Sequence, residues 1–196
     1  MMIPEFVFAT NNKNKLEEIR AISKGKIKII CPEDLGYSEE LPENHTSLEG
    51  NALQKARFFY DKFSINCFAD DTGLEVEALN GRPGVFSARY AGEGKNPLEN
   101  VNKVLHELND NPNRNARFRT VIALVINDKE YFFEGVAEGK IITEMRGRNG
   151  FGYDPVFVPV GFDETFAEIP VNVKNRISHR AAAFEKLFNF LTNFYI

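Results

Sequence analysis

Two adjacent carboxylates, Asp70 and Asp71, stand in the run Phe68-Ala69-Asp70-Asp71-Thr72-Gly73, behind an apolar lead-in from Ile65 to Ala69. Carboxylates without thiols form a hard oxygen donor set of the kind that holds Mg²⁺, which usually binds through one or two carboxylates plus substrate phosphate oxygens. Elsewhere the chain offers groups suited to a polyanion: Thr10-Asn11-Asn12-Lys13-Asn14-Lys15, Lys55, Lys174 and His179-Arg180. Phosphates next to Asp71 would repel it strongly at the low effective dielectric of a cleft, and Mg²⁺ with several lysines would remove that conflict. Gly150-Phe151-Gly152-Tyr153-Asp154 adds aromatic faces for a base, with glycines that let the backbone approach closely. Each stretch also has a purely structural reading. Asp70 or Asp71 would cap an Asx-turn, Asn11 and Asn12 a helix start, Lys55 would be a surface charge, and Phe151 and Tyr153 would be core.

These residues need elements to position them. Ile3 to Ala9 is apolar enough for a buried first strand, and Leu16, Ile19, Ala21 and Ile22 follow at helical spacing. The intervening loop would then lie beside a helix N-terminus, where backbone N–H groups are open to anions. Lys26 to Ile30 reads as a second strand, and Pro32 to Asn44 as an acidic loop that includes Glu43. Thr46-Ser47-Leu48-Glu49 fits a capping box, opening a helix near residue 47 with Leu48, Ala52, Ala56, Phe59 and Phe63 on one face. Asn51 and Lys55, four apart, share a neighbouring stripe of that helix.

Ile65 to Ala69 then reads as a short strand that stops at the acids and delivers them to a sheet edge. Neighbouring strand residues point to opposite faces, so Asp70 and Asp71 should not do the same job. Leu74 to Leu79 reads as a separate strand and Asn80 to Gly84 as a turn. Asn96-Pro97 suits an N-cap and first helical position for a helix to about Leu108. Arg117 to Ile126 alternates well, and Asn127-Asp128 turns it into a hairpin with Glu130–Gly139. A last helix should run from an N-cap at Ser178 to about Phe194, with Phe184, Leu187, Phe188, Leu191 and Phe194 as its stripe. Strands mixed with helices, plus one hairpin, give an α/β fold with a mixed sheet.

Composition sets bounds. The chain has 196 residues, is 43% hydrophobic and 27% charged, and carries a formal net charge of −4. That length suits one domain, and the negative balance argues against a broad electrostatic grip on nucleic acid. Cys31 and Cys67 belong to no C-x-x-C pair, which favours a reducing cytoplasm over a disulfide scaffold. No apolar stretch approaches the roughly 20 residues of a membrane helix. Gly92-Glu93-Gly94-Lys95-Asn96 lacks Walker spacing, and no G-x-S-x-G or H-E-x-x-H occurs.

Five motifs in order, Thr10–Lys15, Ala69–Leu74, Pro83–Tyr90, Gly150–Pro155 and Ser178–Arg180, together make the chain resemble the inosine/xanthosine triphosphate pyrophosphatase family. The resemblance spans nearly the whole chain. It implies an elongated mixed sheet with flanking helices, its two lobes around a central cleft, formed by residues 1–196 as a single bilobal domain. It also implies a homodimer and Mg²⁺-dependent hydrolysis of dITP, ITP and XTP to the monophosphate and pyrophosphate. Position by position, it implies that Thr10, Asn11, Asn12, Lys13, Asn14 and Lys15 hold the triphosphate with Lys55 nearby. Asp71 would be the catalytic and metal-binding acid, leaving the turn to Asp70, with Thr72 its substrate-contacting neighbour and Glu43 the second metal ligand. Phe151 would stack on the purine with Gly152, Tyr153 and Asp154 beside it, while Lys174, His179 and Arg180 read its 6-keto group. Gly50 departs from the family, whose members often carry Glu there. Two other readings fit the same residues: a nucleotide sensor without turnover, and a Mg²⁺-dependent phosphomonoesterase.

Overall fold

The computed structural model describes residues 5–195. In chain order the elements are β1 (Glu5–Phe8), α1 (Lys13–Ser23), β2 (Lys28–Ile30), α2 (Leu48–Phe63), β3 (Cys67–Val76), β4 (Pro83–Gly84), α3 (Pro97–Leu108), β5 (Asn115–Ile126), β6 (Lys129–Ile141), β7 (Phe157–Pro159), α4 (Val171–Ile177) and α5 (His179–Tyr195). The sheet is mixed and runs β2-β1-β3-β5-β6-β7, with β4 on β3. β1 is parallel to β2 and to β3, while β4 is antiparallel to β3 and β7 to β6.

Two compact units share these elements. Unit 1 takes the chain through Asp71, Thr120–Gly135 and the segment from Arg180 onward, and unit 2 takes Thr72–Arg119 and Val136–His179. In unit 1 the strands are covered on both faces, and their period-2 alternation sorts residues between two cores. Phe6, Phe8, Phe68, Ile122, Leu124 and Ile126 pack with Leu16 and Ile19 of α1 and with Phe184, Leu187 and Leu191 of α5. The alternate residues Val7, Ala9, Cys67, Ala69, Ala123 and Val125 pack with Ala52, Ala56 and Phe59 of α2. Double coverage explains why β1 alternates only weakly in polarity: both of its faces are dry. In unit 2, Val101, Val104 and Leu108 of α3 meet Leu74, Val76, Phe118, Phe157 and Phe166 in one core.

Several expected boundaries hold. Asn96 caps α3, its side chain accepting from Leu98 N and Glu99 N, with Pro97 as the first helical residue. Asn127 and Asp128, both with positive φ, make the two-residue turn between β5 and β6, the type I′ geometry that matches strand twist. Phe184, Leu187 and Leu191 of the α5 stripe are buried, while the Phe194 side chain lies outside the described residues.

Others need correction. β3 does not stop at the acids: it runs unbroken through Asp70-Asp71-Thr72-Gly73 to Val76, and a single 3₁₀ turn, Glu77–Leu79, follows. Flanked by β1 and β5, β3 is interior to the sheet. Gly73 belongs there because β4 passes close by; a methyl at Gly73 would stand 2.5 Å from the Gly84 carbonyl oxygen. The cap of α2 is Ser47, which accepts from Gly50 N, so the capping box expected from Thr46 and Glu49 is not what starts the helix. α4 follows Pro170 without a side-chain cap, and no periodic stripe announces so short a helix.

Candidate active site

Strand parity divides the two acids. Asp70 continues the Phe68 side of β3, toward α1 and α5, and Asp71 continues the Cys67 and Ala69 side, toward α2. Asp70 is therefore no turn cap. It is 1% exposed and receives Lys15 Nζ at 3.0 Å and Arg180 Nε at 3.3 Å. Arg180 also pairs through Nη1 with the Glu18 carboxylate. Burial alone would raise the Asp70 pKa, but Lys15, Arg180 and Lys55 outweigh it and hold the carboxyl well below the usual carboxylate range.

Asp71 meets a different environment. Asn51 Nδ2 donates to its Oδ2 at 3.0 Å, and Asn51 Oδ1 in turn accepts from the His45 backbone N–H at 2.9 Å. One turn along α2, Lys55 Nζ pairs with Glu43 Oε1 at 2.5 Å, with the lysine 4% exposed. Burial pushes the Asp71 pKa up. Lys55 and Lys15 pull it down without cancelling that shift, and Glu43 adds to it. Burial would also strip the proton from Lys55, but the charges of Asp71 and Glu43 more than restore it. Lys15 lacks such surplus support, and burial brings its pKa down despite Asp70. The result is a buried carboxylate with a raised proton affinity in a field of lysines.

The loop from Thr10 to Lys15 is largely occupied with its own structure. Asn12 Oδ1 caps α1, accepting from Asn14 N at 3.0 Å and Lys15 N at 3.2 Å. Thr10 Oγ1 accepts from Asn12 N. Asn11 ties down the acidic loop, donating to the Glu39 carbonyl and accepting from Leu41 N. Lys13 and Asn14 are exposed, and Lys15 alone reaches the buried acids.

In unit 2 the structure gathers the aromatic loop with Lys174. Asp154 Oδ2 accepts from Phe151 N at 2.8 Å and pairs with Lys174 Nζ at 2.7 Å. The same ammonium lies 5.1 Å from the centre of the Phe151 ring and 5.6 Å from that of Phe166. Gly152 is half-buried between Phe151 and Tyr153, and the Tyr153 hydroxyl donates to the Ser87 carbonyl at 2.8 Å. Burial pushes the Tyr153 pKa up, which keeps that hydroxyl a donor. His179 stacks on Phe118, ring centres 4.6 Å apart at 19°. Thr72, directly after Asp71 in β3, is half-buried.

Two participants escape the sequence reading. Asp70 is the centre of a buried ion-pair network, and Asn51 donates a hydrogen bond to Asp71. The helical spacing of Asn51 and Lys55 is the signal that both face one place. Nothing local foretells a pair 110 residues apart such as Asp70 and Arg180.

The comparisons with known proteins agree with this architecture. A model described as the Ham1 family matches residues 6–190. The dITP/XTP pyrophosphatase of Flavobacterium johnsoniae is 51% identical over 188 residues, 96% of this chain and 98% of that one. The protein of the same name from Porphyromonas gingivalis is 53% identical over 188 residues, 95% and 97% of the two chains. The solved structure of a HAM1 protein from Coxiella burnetii, 39% identical, matches with a TM-score of 0.89 over 97% of this chain and 100% of that one. A family match over nearly the whole chain, relatives above half identity and a shared fold place this chain in the Ham1 family.

Proposed function

We propose that the protein hydrolyses non-standard purine nucleoside triphosphates (dITP, ITP and XTP) to the nucleoside monophosphate and pyrophosphate. The observation that carries this reading is the buried Asp71 carboxylate, held by Asn51 and flanked by the Lys55–Glu43 pair and by Lys15. The name dITP/XTP pyrophosphatase, borne by relatives 51% and 53% identical to this chain, supports the substrate class.

Asp71 and Glu43 are our assignment for Mg²⁺. Their donors are oxygens only, and among the described residues no group of three or more His, Cys, Asp or Glu side chains is assembled to hold a metal ion. Two carboxylates suit a cation that takes its other ligands from water and substrate phosphate. When bound, the ion supplies neutralisation of phosphate charge and a lowered pKa for water in its shell. Asp71 orients the attacking water and takes up its proton. The new bond forms between water oxygen and the α-phosphorus, the α–β anhydride bond breaks, and pyrophosphate leaves. Lys15 and Lys55 steady the phosphates, since an ammonium has three N–H donors and the pairs with Asp70 and Glu43 engage one on each. Lys13 and Asn14 reach the triphosphate from exposed positions, while Thr10, Asn11 and Asn12 keep the loop in shape.

For the base we assign the unit 2 group, with Phe151 as the stacking face and Gly152, Tyr153 and Asp154 beside it. Lys174, held in place by Asp154, donates to a 6-keto oxygen with His179 beside it, whereas Arg180 is engaged with Asp70 and Glu18. A 6-amino group would set donor against donor, and a site built on hydrogen bonds can reject the wrong substituent by up to ~10⁴–10⁵. Thr72 contacts substrate next to Asp71. We also place the protein in the cytoplasm as a homodimer. The free thiols of Cys31 and Cys67 support a reducing compartment, and light scattering tests the dimer.

Incubation with dITP and Mg²⁺, with products separated by ion chromatography, tests the activity. The expected products are dIMP and pyrophosphate, and EDTA should abolish them until Mg²⁺ is restored. Orthophosphate as the first product would establish a phosphomonoesterase instead, and binding without turnover would establish a sensor.

A further inference from the structure

Residues 43–45 lie as a strap along the first turns of α2, and each is gripped in turn. Glu43 Oε1 takes Lys55 Nζ at 2.5 Å, Asn44 N donates to Gln54 Oε1 at 3.0 Å, and His45 N donates to Asn51 Oδ1 at 2.9 Å. Reading forward along the strap, the partners run back along the helix: 55, 54, 51. The His45 side chain rests on Gly50. A methyl at Gly50 would stand 2.6 Å from His45 Cβ and 2.7 Å from Cγ, so the bare helix surface there is what admits the imidazole. Gly50 has no unusual backbone conformation to justify it, since its φ is not in the left-handed region. Its value is space.

The strap also fixes one amide. Asn51 is 1% exposed, and an asparagine carries one carbonyl acceptor and one NH₂ donor group. Because the His45 N–H takes the carbonyl, the NH₂ must turn the other way, and there it meets Asp71 Oδ2 at 3.0 Å. The plane of the Asp71 carboxylate is therefore set by the strap through Asn51, while Glu43, at the strap's other end, is set by Lys55. Both carboxylates take their position from one short segment packed on one helix.

We propose that Asn51 is the positioning residue for Asp71, and that the seat of His45 on Gly50 holds the strap to which Asn51 is referenced. This rests on the hydrolytic reading above. Asn51→Leu keeps the branched outline of the side chain and removes both hydrogen bonds. Gly50→Ala leaves Asp71, Glu43 and Asn51 untouched but displaces His45, and it should favour the helix itself, since alanine is the stronger helix former.

The experiment measures kcat and KM for dITP with Mg²⁺, alongside calorimetric binding of the α,β-methylene analogue of dITP with and without Mg²⁺. For each variant that melts cooperatively, kcat should fall roughly ten- to a hundredfold, the loss expected for a hydrogen bond to a charged group. KM should stay within about threefold. The gain in analogue affinity on adding Mg²⁺ should shrink by a similar factor, with metal-free affinity unchanged. If Asn51→Leu fails to fold, Gly50→Ala decides alone. A folded variant with wild-type kcat and a wild-type Mg²⁺ gain overturns the inference, as does a loss confined to metal-free affinity. Wild-type protein that releases no pyrophosphate overturns instead the hydrolytic reading on which it rests.

Discussion

Burial acts on Asp70 and Asp71 alike, making a charge costly at each, yet the two carboxyls end on opposite sides of their ordinary value. Parity along β3 is the cause. Asp70 turns to α1 and α5, where Lys15 and Arg180 meet it directly, and Asp71 turns to α2, where the neutral amide of Asn51 donates to it. A buried carboxyl fixed by Asn51 and set next to cations that would bind phosphate is placed to orient a water and accept its proton. Asp71→Asn should therefore abolish pyrophosphate release from dITP, a loss of at least ~10²–10⁴ in kcat. The melting temperature should stay within a few degrees of wild type, because the asparagine carbonyl still accepts from Asn51 and a costly buried charge is gone. Turnover near wild type in that variant would remove Asp71 from the chemistry.

At the scale of elements, the sequence was informative wherever a local signal and the tertiary structure agree. Asn96-Pro97 names its helix start and Asn127-Asp128 its hairpin turn, because caps and positive-φ turns are decided within four residues. β3 misleads because Asp70, Asp71 and Gly73 are poor strand formers, and pairing with β1 and β5 overrides their preference. The site was legible as an inventory: Asp71, Glu43, Lys15 and Lys55 do come together in unit 1, and Phe151, Asp154 and Lys174 in unit 2. Left unread were the links between these groups. Asn51 joins α2 to β3, and Arg180 joins α5 to β3, through contacts 20 and 110 residues apart that carry no sequence period. The start of α2 offers a clean test of local logic, because Thr46 and Ser47 are adjacent and chemically similar. Only Ser47 caps in the structure, so Ser47→Ala should cost about 1 kcal/mol, or ~2–4 °C in Tm, and Thr46→Ala less than ~0.5 kcal/mol. Equal losses in the two variants would reject the assigned cap.

For the molecule as a whole, the buried ion pairs of unit 1 set how it meets acid. Asp70 has a depressed folded pKa, so its ionised form stabilises the fold at pH values above the unfolded carboxylate pKa of ~3.9. That contribution is progressively lost as pH falls below about 4 toward the folded value. Asp71 has the opposite sign: its raised pKa means the folded state takes up a proton before the unfolded chain does, so acidification relieves a buried charge there. The two effects oppose each other, and Asp70 dominates because Lys15 and Arg180 are left facing one another when its charge is lost. Removing one partner of a buried pair costs on the order of 3–5 kcal/mol. Asp70→Asn should therefore lower Tm by roughly 10 °C at pH 7. The gap between variant and wild type should narrow steadily below about pH 4, as the carboxyl takes up a proton in the unfolded chain while the folded protein still holds it ionised. Melting curves recorded by circular dichroism from pH 7 to pH 2.5 decide the matter. A gap that stays constant across that range would mean that Asp70 supports the fold by its shape and hydrogen bonds rather than by its charge.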